Sequence, residues 1–140
     1  MVELHGWLTI CESYGDEDEL TDDEHKSIQN NINQIISKQN CGVTLSYKNG
    51  VAYLSVLHCS NHRTEEVDEI IGVFCDAAKA ANGSYGIIYM RDDEDKEYFS
   101  EFQVFVFKHG ECSKVRDKML SPCIPVIEAD IYNKNIQKEE

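Results

Sequence analysis

His58, Cys59 and His62 place two imidazoles and a thiol in one short stretch, and imidazole and thiolate are good zinc ligands. A four-ligand site would still have to recruit Cys11, Cys112 or His5 from distant segments, because the chain holds no Cys-x-x-Cys. The plainer reading is a strand end followed by a helix N-terminus, where histidine bonds backbone groups. A thiol-histidine pair such as Cys59 and His62 has the chemistry of nucleophilic catalysis, but closeness along the chain does not set a base against a nucleophile. Gly83-Ser84-Tyr85-Gly86 lacks the Gly-x-Ser-x-Gly spacing of a nucleophile elbow and the glycine spacing of nucleotide motifs. No catalytic residue and no cofactor is assigned. A metal- or small-molecule-binding regulatory domain using His58, His62 and the thiols is the alternative reading.

The acidic clusters say more. Asp16, Glu17, Asp18 and Glu19 form one run, and Asp92, Asp93, Glu94 and Asp95 form another. Neither has the ligand spacing of a calcium loop. Over all 140 residues, 26 acids against 13 basic residues give a formal charge of −13. Such a charge repels nucleic acid phosphates and anionic membrane surfaces, and it attracts a basic protein. Each run is expected to follow a strand, so these eight acids are the candidate residues for steering and aligning a basic partner.

The elements that must carry them follow from periodicity. Residues 3–11 alternate, with Leu4, Leu8 and Ile10 on one side and His5, Trp7 and Thr9 on the other, which predicts a strand with one face in the core. Thr21 and Glu24 have capping-box spacing, and Ile28, Ile32, Ile35 and Ile36 give the next segment one apolar helical stripe that ends near residues 40–42. Residues 43–47 and 51–57 alternate on either side of Asn49-Gly50, the signature of a tight hairpin. Thr64 is placed to cap a second helix whose stripe runs from Val67 to Ala81, with Asn82-Gly83 as a left-handed stop.

Residues 83–90 are apolar on both faces, as for a strand inside a sheet, while Asp92, Asp93, Glu94 and Asp95 must stay wet. Phe102, Val104 and Val106 alternate with Phe105 and Phe107 in an antiparallel partner, and His109-Gly110 turns into a last strand over residues 111–116. The predicted class is α+β, order β-α-β-β-α-β-β-β, a largely antiparallel sheet with two helices packed on one face. Its first six elements fit a split β-α-β plan; a meander with the helices as a separate layer also fits. One domain is expected over residues 1–132, with 121–125 extended and 133–140 a polar, flexible tail.

Six dispersed cysteines and no signal peptide before Glu3 predict free thiols and a cytoplasmic protein. No apolar run is long enough to span a bilayer.

His5-Gly6-Trp7, Asn61-His62-Arg63, Gly83-Ser84-Tyr85-Gly86, Arg91-Asp92-Asp93-Glu94-Asp95 and Ser121-Pro122-Cys123-Ile124-Pro125 occur in this order. Together they resemble the immunity protein 7 family of bacterial polymorphic toxin systems, over residues 2 to about 130. The resemblance implies a cytoplasmic, non-enzymatic α+β protein that binds and neutralises the C-terminal domain of a cognate toxin. It brings no catalytic residue and no cofactor. Some of the matching residues are expected to be structural: Trp7 and Tyr85 as core aromatics, Asn61 as a turn former, and Arg91 as the partner of a nearby carboxylate.

Overall fold

The alternation around Leu4 and Leu8 becomes a strand in the interior of a sheet, and the rest of the chain is laid out on either side of it. A computed structural model describes residues 1–15 and 19–121. Asp16, Glu17 and Asp18, the expected extended stretch beyond Ser121 and the expected tail at 133–140 lie outside the described residues. In order the elements are β1 (Val2–Thr9), α1 (Asp22–Ser37), β2 (Thr44–Lys48), β3 (Val51–Ser60), α2 (Glu65–Ala80), β4 (Tyr85–Asp92), β5 (Gln103–Lys108) and β6 (Glu111–Arg116).

The sheet order is β2-β3-β1-β4-β5-β6, and every neighbouring pair is antiparallel. β3 lies between β1 and β2, and β1 lies between β3 and β4, so both β-α-β units are split as the first of the two expected plans requires. The β5-β6 hairpin extends the sheet past β4. Ile32 of α1 and Val67, Ile70 and Phe74 of α2 join Leu4, Leu8, Leu54, Val56, Ile88 and Phe107 in one core. Both helices therefore cover the same face.

Local chemistry explains the boundaries. Asn49 and Gly50 adopt φ of 53° and 79°, and His109 and Gly110 adopt 52° and 74°, the left-handed pairs that close two-residue hairpins. The Thr21 hydroxyl oxygen accepts from the Glu24 backbone N–H at 3.2 Å and caps α1. The expected box is only half formed, since the Glu24 carboxylate accepts from the Thr21 hydroxyl and not from its backbone N–H.

Two expectations are corrected here. Thr64 occupies the N-cap of α2 with extended backbone, but its side chain makes no capping bond, and its carbonyl accepts from Val67 N–H instead. Gly83 is not a left-handed stop: α2 ends on Ala81 at φ −121°, and a Cβ at Gly83 would lie 2.3 Å from the Ser13 carbonyl carbon. Backbone contact with the loop after β1 demands that glycine.

Cys41, Cys59, Cys75 and Cys112 are free thiols. No described helix is long and apolar enough to cross a membrane.

Candidate functional site

The acidic end of β4 is held by its own hydrogen bonds. Asp92 was expected in solvent, yet it belongs to β4, is only 6% exposed, and its carboxylate accepts from Glu94 N–H at 3.0 Å. The strand continues that far because β1 runs antiparallel beside it and pairs Val2 with Asp92. Exposed Asp93 binds the N-terminal ammonium, and this hydrogen bond, with the charge behind it, lowers its carboxyl pKa. Asp95 accepts from Glu97 and Tyr98 N–H groups at 2.9 and 3.0 Å, and those two bonds lower its carboxyl in the same way. Glu94 reaches outward to His62 Nδ1 at 2.6 Å, with both side chains mostly in solvent. Of the four acids, Asp93 and Glu94 are exposed, and Glu94 is the more exposed of the two.

The second acidic run starts from the opposite end of β1. Asp16, Glu17 and Asp18 fall outside the described residues; Glu19 is exposed just before α1, followed by exposed Asp22, Asp23 and Glu24 in its first turn. The eight residues of β1 separate the acids around Glu94 from the point where the chain leaves for Glu19, a span of about 26 Å at strand rise. Glu94 and Glu19 therefore lie beyond opposite ends of β1.

The histidine and thiol cluster does not converge. His58 Nε2 lies 3.2 Å from the Ser60 hydroxyl, His62 faces Glu94, and Cys59 points to the other side of β3 from His58. Among the described residues, no group of three or more His, Cys, Asp or Glu side chains is placed to hold a metal ion. Arg91 does take a cross-strand carboxylate partner, as expected of it: Glu3 stands opposite, with Oε1 3.9 Å from the guanidinium Nε.

One feature was missed from the sequence. Side chains alternate along β1, so the face opposite Leu4 and Leu8 carries Glu3, His5, Trp7 and Thr9. Across it, Leu57 and Tyr89 stand beside His5, Ile87 stands beside Trp7, and Tyr85 stands beside Thr9. Trp7 and Tyr85 are not core aromatics: they are 46% and 53% exposed, and Leu57 is 75% exposed. The available signal was arithmetic. Two helices with one apolar stripe each cover one face of a sheet whose strands are apolar on both.

A groove of ≈ 680 Å³ opens where α1 crosses the β2-β3 turn and is lined by Ile10, Ile28, Tyr47 and Tyr85. Within it Glu12 takes both His25 and Gln29 as partners.

The family model described as immunity protein 7 matches residues 1–129. No curated protein and no solved structure matches the chain.

Proposed function

The chain belongs to the immunity protein 7 family, and we propose that it neutralises its cognate polymorphic toxin in the cytoplasm by binding the toxin's C-terminal domain and covering its working surface. The family match over residues 1–129 carries this reading. Family membership implies a toxin partner and an inhibitor of the non-catalytic kind. The single domain over residues 1–132 is the inhibitor, and it acts by complementarity of surface.

Charge supports a basic partner, in particular a nuclease domain. An enzyme that holds phosphate has a basic groove, and a chain of charge −13 competes for that groove. The acids Asp16, Glu17, Asp18, Glu19, Asp92, Asp93, Glu94 and Asp95 set the field that steers the encounter.

The test is growth of cells expressing the neighbouring toxin domain with and without this protein, followed by titration of the purified pair at low and moderate salt. Rescue with stoichiometric, salt-weakened binding is the expected result. Rescue without binding would overturn direct neutralisation and turn attention to the toxin's target or product.

A further inference from the structure

We propose that the toxin docks on the face of the sheet away from the helices, with exposed Trp7, Tyr85 and Leu57 as its apolar centre and the exposed acids beyond the two ends of β1 as its charged rim. This rests on the reading of the chain as a toxin-binding immunity protein and names the surface that does the binding.

The position of the helices makes the face available. Both pack on the side of Leu4, Leu8 and Ile88; on the other side Tyr89 bonds buried Asp117 and Val104 beside it is buried, while around Trp7, Leu57 and Tyr85 no helix covers the sheet among the described residues. On that side Leu57 of β3, Trp7 of β1 and Tyr85 and Ile87 of β4 come from three adjacent strands, and each of the others lies within two residues of Trp7 in register. Directly opposed side chains on paired strands are about 5 Å apart and diagonal ones about 7–8 Å, within reach of aromatic side chains, so Trp7 gathers Ile87, Leu57 and Tyr85 around it. The largest apolar patch on a protein surface is often the one that binds. Tryptophan and tyrosine are the side chains that most often dominate binding energy at the centre of an interface.

Charge selects the occupant. Exposed Glu94 lies beyond one end of the sheet, and Glu19 with the first turn of α1 lies beyond the other. A partner that covers the apolar centre therefore meets carboxylates at both ends, and a protein surface with an apolar middle and basic margins fits. A second copy of this chain does not, because face-to-face contact would bring together two bodies of charge −13. The acidic loops then govern the rate of encounter while the sheet face governs the lifetime of the complex.

The experiment uses the toxin domain whose killing the wild-type protein relieves on co-expression. Leu57→Asp and Trp7→Ala, each shown by circular dichroism and melting to be folded, are titrated against it beside wild type and Asn30→Lys, which alters the exposed side of α1. The expected result is affinity weaker by roughly thirty-fold or more for the sheet-face variants, with Asn30→Lys unchanged. Labelling the only tryptophan with 5-fluorotryptophan gives a second readout: the Trp7 fluorine resonance shifts when the toxin is added. Failure of wild type to rescue or bind would sink the function itself. Wild-type binding with both sheet-face variants unchanged and no fluorine shift would sink only the surface assignment. So would a loss of melting temperature with affinity intact, which would mean that the chain covers this face itself, or dimerisation of the free protein through it.

Discussion

Trp7 and Tyr85 meet edge to face on the side of the sheet away from the helices, with ring centroids 6.3 Å apart and planes at 88°. On the covered side Phe74 and Phe107 make a comparable contact at 5.6 Å with both rings buried. The chemistry of the two pairs is alike, and their exposure differs. Truncating a fully buried aromatic loses transfer free energy and leaves a cavity, so Phe107→Ala should lower unfolding free energy by about 3–5 kcal/mol. Tyr85→Ala should cost only about 0.5–1.5 kcal/mol, the scale of an aromatic pair. Urea unfolding of the two variants measures the difference, and equal losses would mean that Tyr85 is buried in solution.

Gly6 and Gly72 should respond to alanine with opposite signs. A Cβ at Gly6 would stand 2.8 Å from Ile88 Cγ1, 3.1 Å from Val56 Cγ1 and 3.4 Å from the Phe74 ring. All three neighbours are in the core, and the missing Cβ is what lets Phe74 settle onto the sheet. Gly6→Ala should therefore destabilise by about 1–3 kcal/mol through overpacking. Gly72 lies inside α2 with open space where a Cβ would go, and Gly72→Ala should stabilise by about 0.5–1 kcal/mol through helix propensity. Thermal melts of both variants check the signs.

Asp117 ties the end of β6 to β4. Its carboxylate accepts from Met119 N–H, Leu120 N–H and the Ser121 hydroxyl at 2.8–2.9 Å, and from the Tyr89 phenol at 3.3 Å. Burial works to raise its pKa, but these bonds together outweigh burial and lower it. The Tyr89 phenol is pushed up, first by burial and then by the Asp117 charge. A carboxyl lowered by folding contributes stability that is present above its unfolded value near 3.9 and is lost as pH falls through the folded value. Asp117→Asn keeps one acceptor oxygen and should cost about 1–3 kcal/mol at pH 7. The gap between wild type and variant in urea unfolding should narrow steadily below pH 4. A gap that stays constant down to pH 2 would show that ionisation of Asp117 does not contribute.

Cys112, on β6, is exposed as a residue, yet its thiol is pushed up to about 11, by burial of the sulfur first and then by the charge and hydrogen bond of Cys75. A thiol raised by folding favours the protonated state, so its contribution to stability is complete below the unfolded value near 8.5 and is lost as pH rises through 11. The thiolate is the nucleophile. At pH 8 iodoacetamide should modify Cys112 more slowly than a free thiol, and Cys75→Ala should speed the reaction. Mass mapping of the alkylated sites reads both.

The fold was legible where one local signal decided the outcome. Asn49-Gly50 had to turn, and the isoleucine stripe of α1 had to face a sheet. The boundaries and the open face were less legible, because they depend on what lies across space. Thr64 has the right side chain for a cap, but its own carbonyl makes the first-turn bond. Asp92 looks solvated in an acidic run, but pairing with Val2 draws it into the strand. Trp7 and Tyr85 look like core because an interior strand that is apolar on both faces suggests layers on both sides. Only the placement of both helices on one face shows otherwise. The reading of Arg91 survived because its partner, Glu3, lies directly across a strand pair that the alternation already implied.

The acids at the end of β4 should separate into structure and steering. Asp92 is buried and holds Glu94 N–H, so Asp92→Lys places an ammonium in an apolar strand end and removes an acceptor. It should lower stability by about 2–4 kcal/mol, the range for an uncompensated buried charge that can partly relax toward solvent. Glu94 pairs with His62 in solvent, and an exposed pair of this kind contributes little to folding. Glu94→Lys should leave the melting temperature within about 2 °C, since a change below 0.5 kcal/mol moves a domain of this size by no more. Its effect should appear in the association rate with the toxin, slower by several-fold at low salt and converging on wild type as salt screens the field. Stopped-flow mixing at two ionic strengths separates the two roles. If Glu94→Lys changed only the dissociation rate, Glu94 would be a contact in the finished complex and the loop would not act by steering.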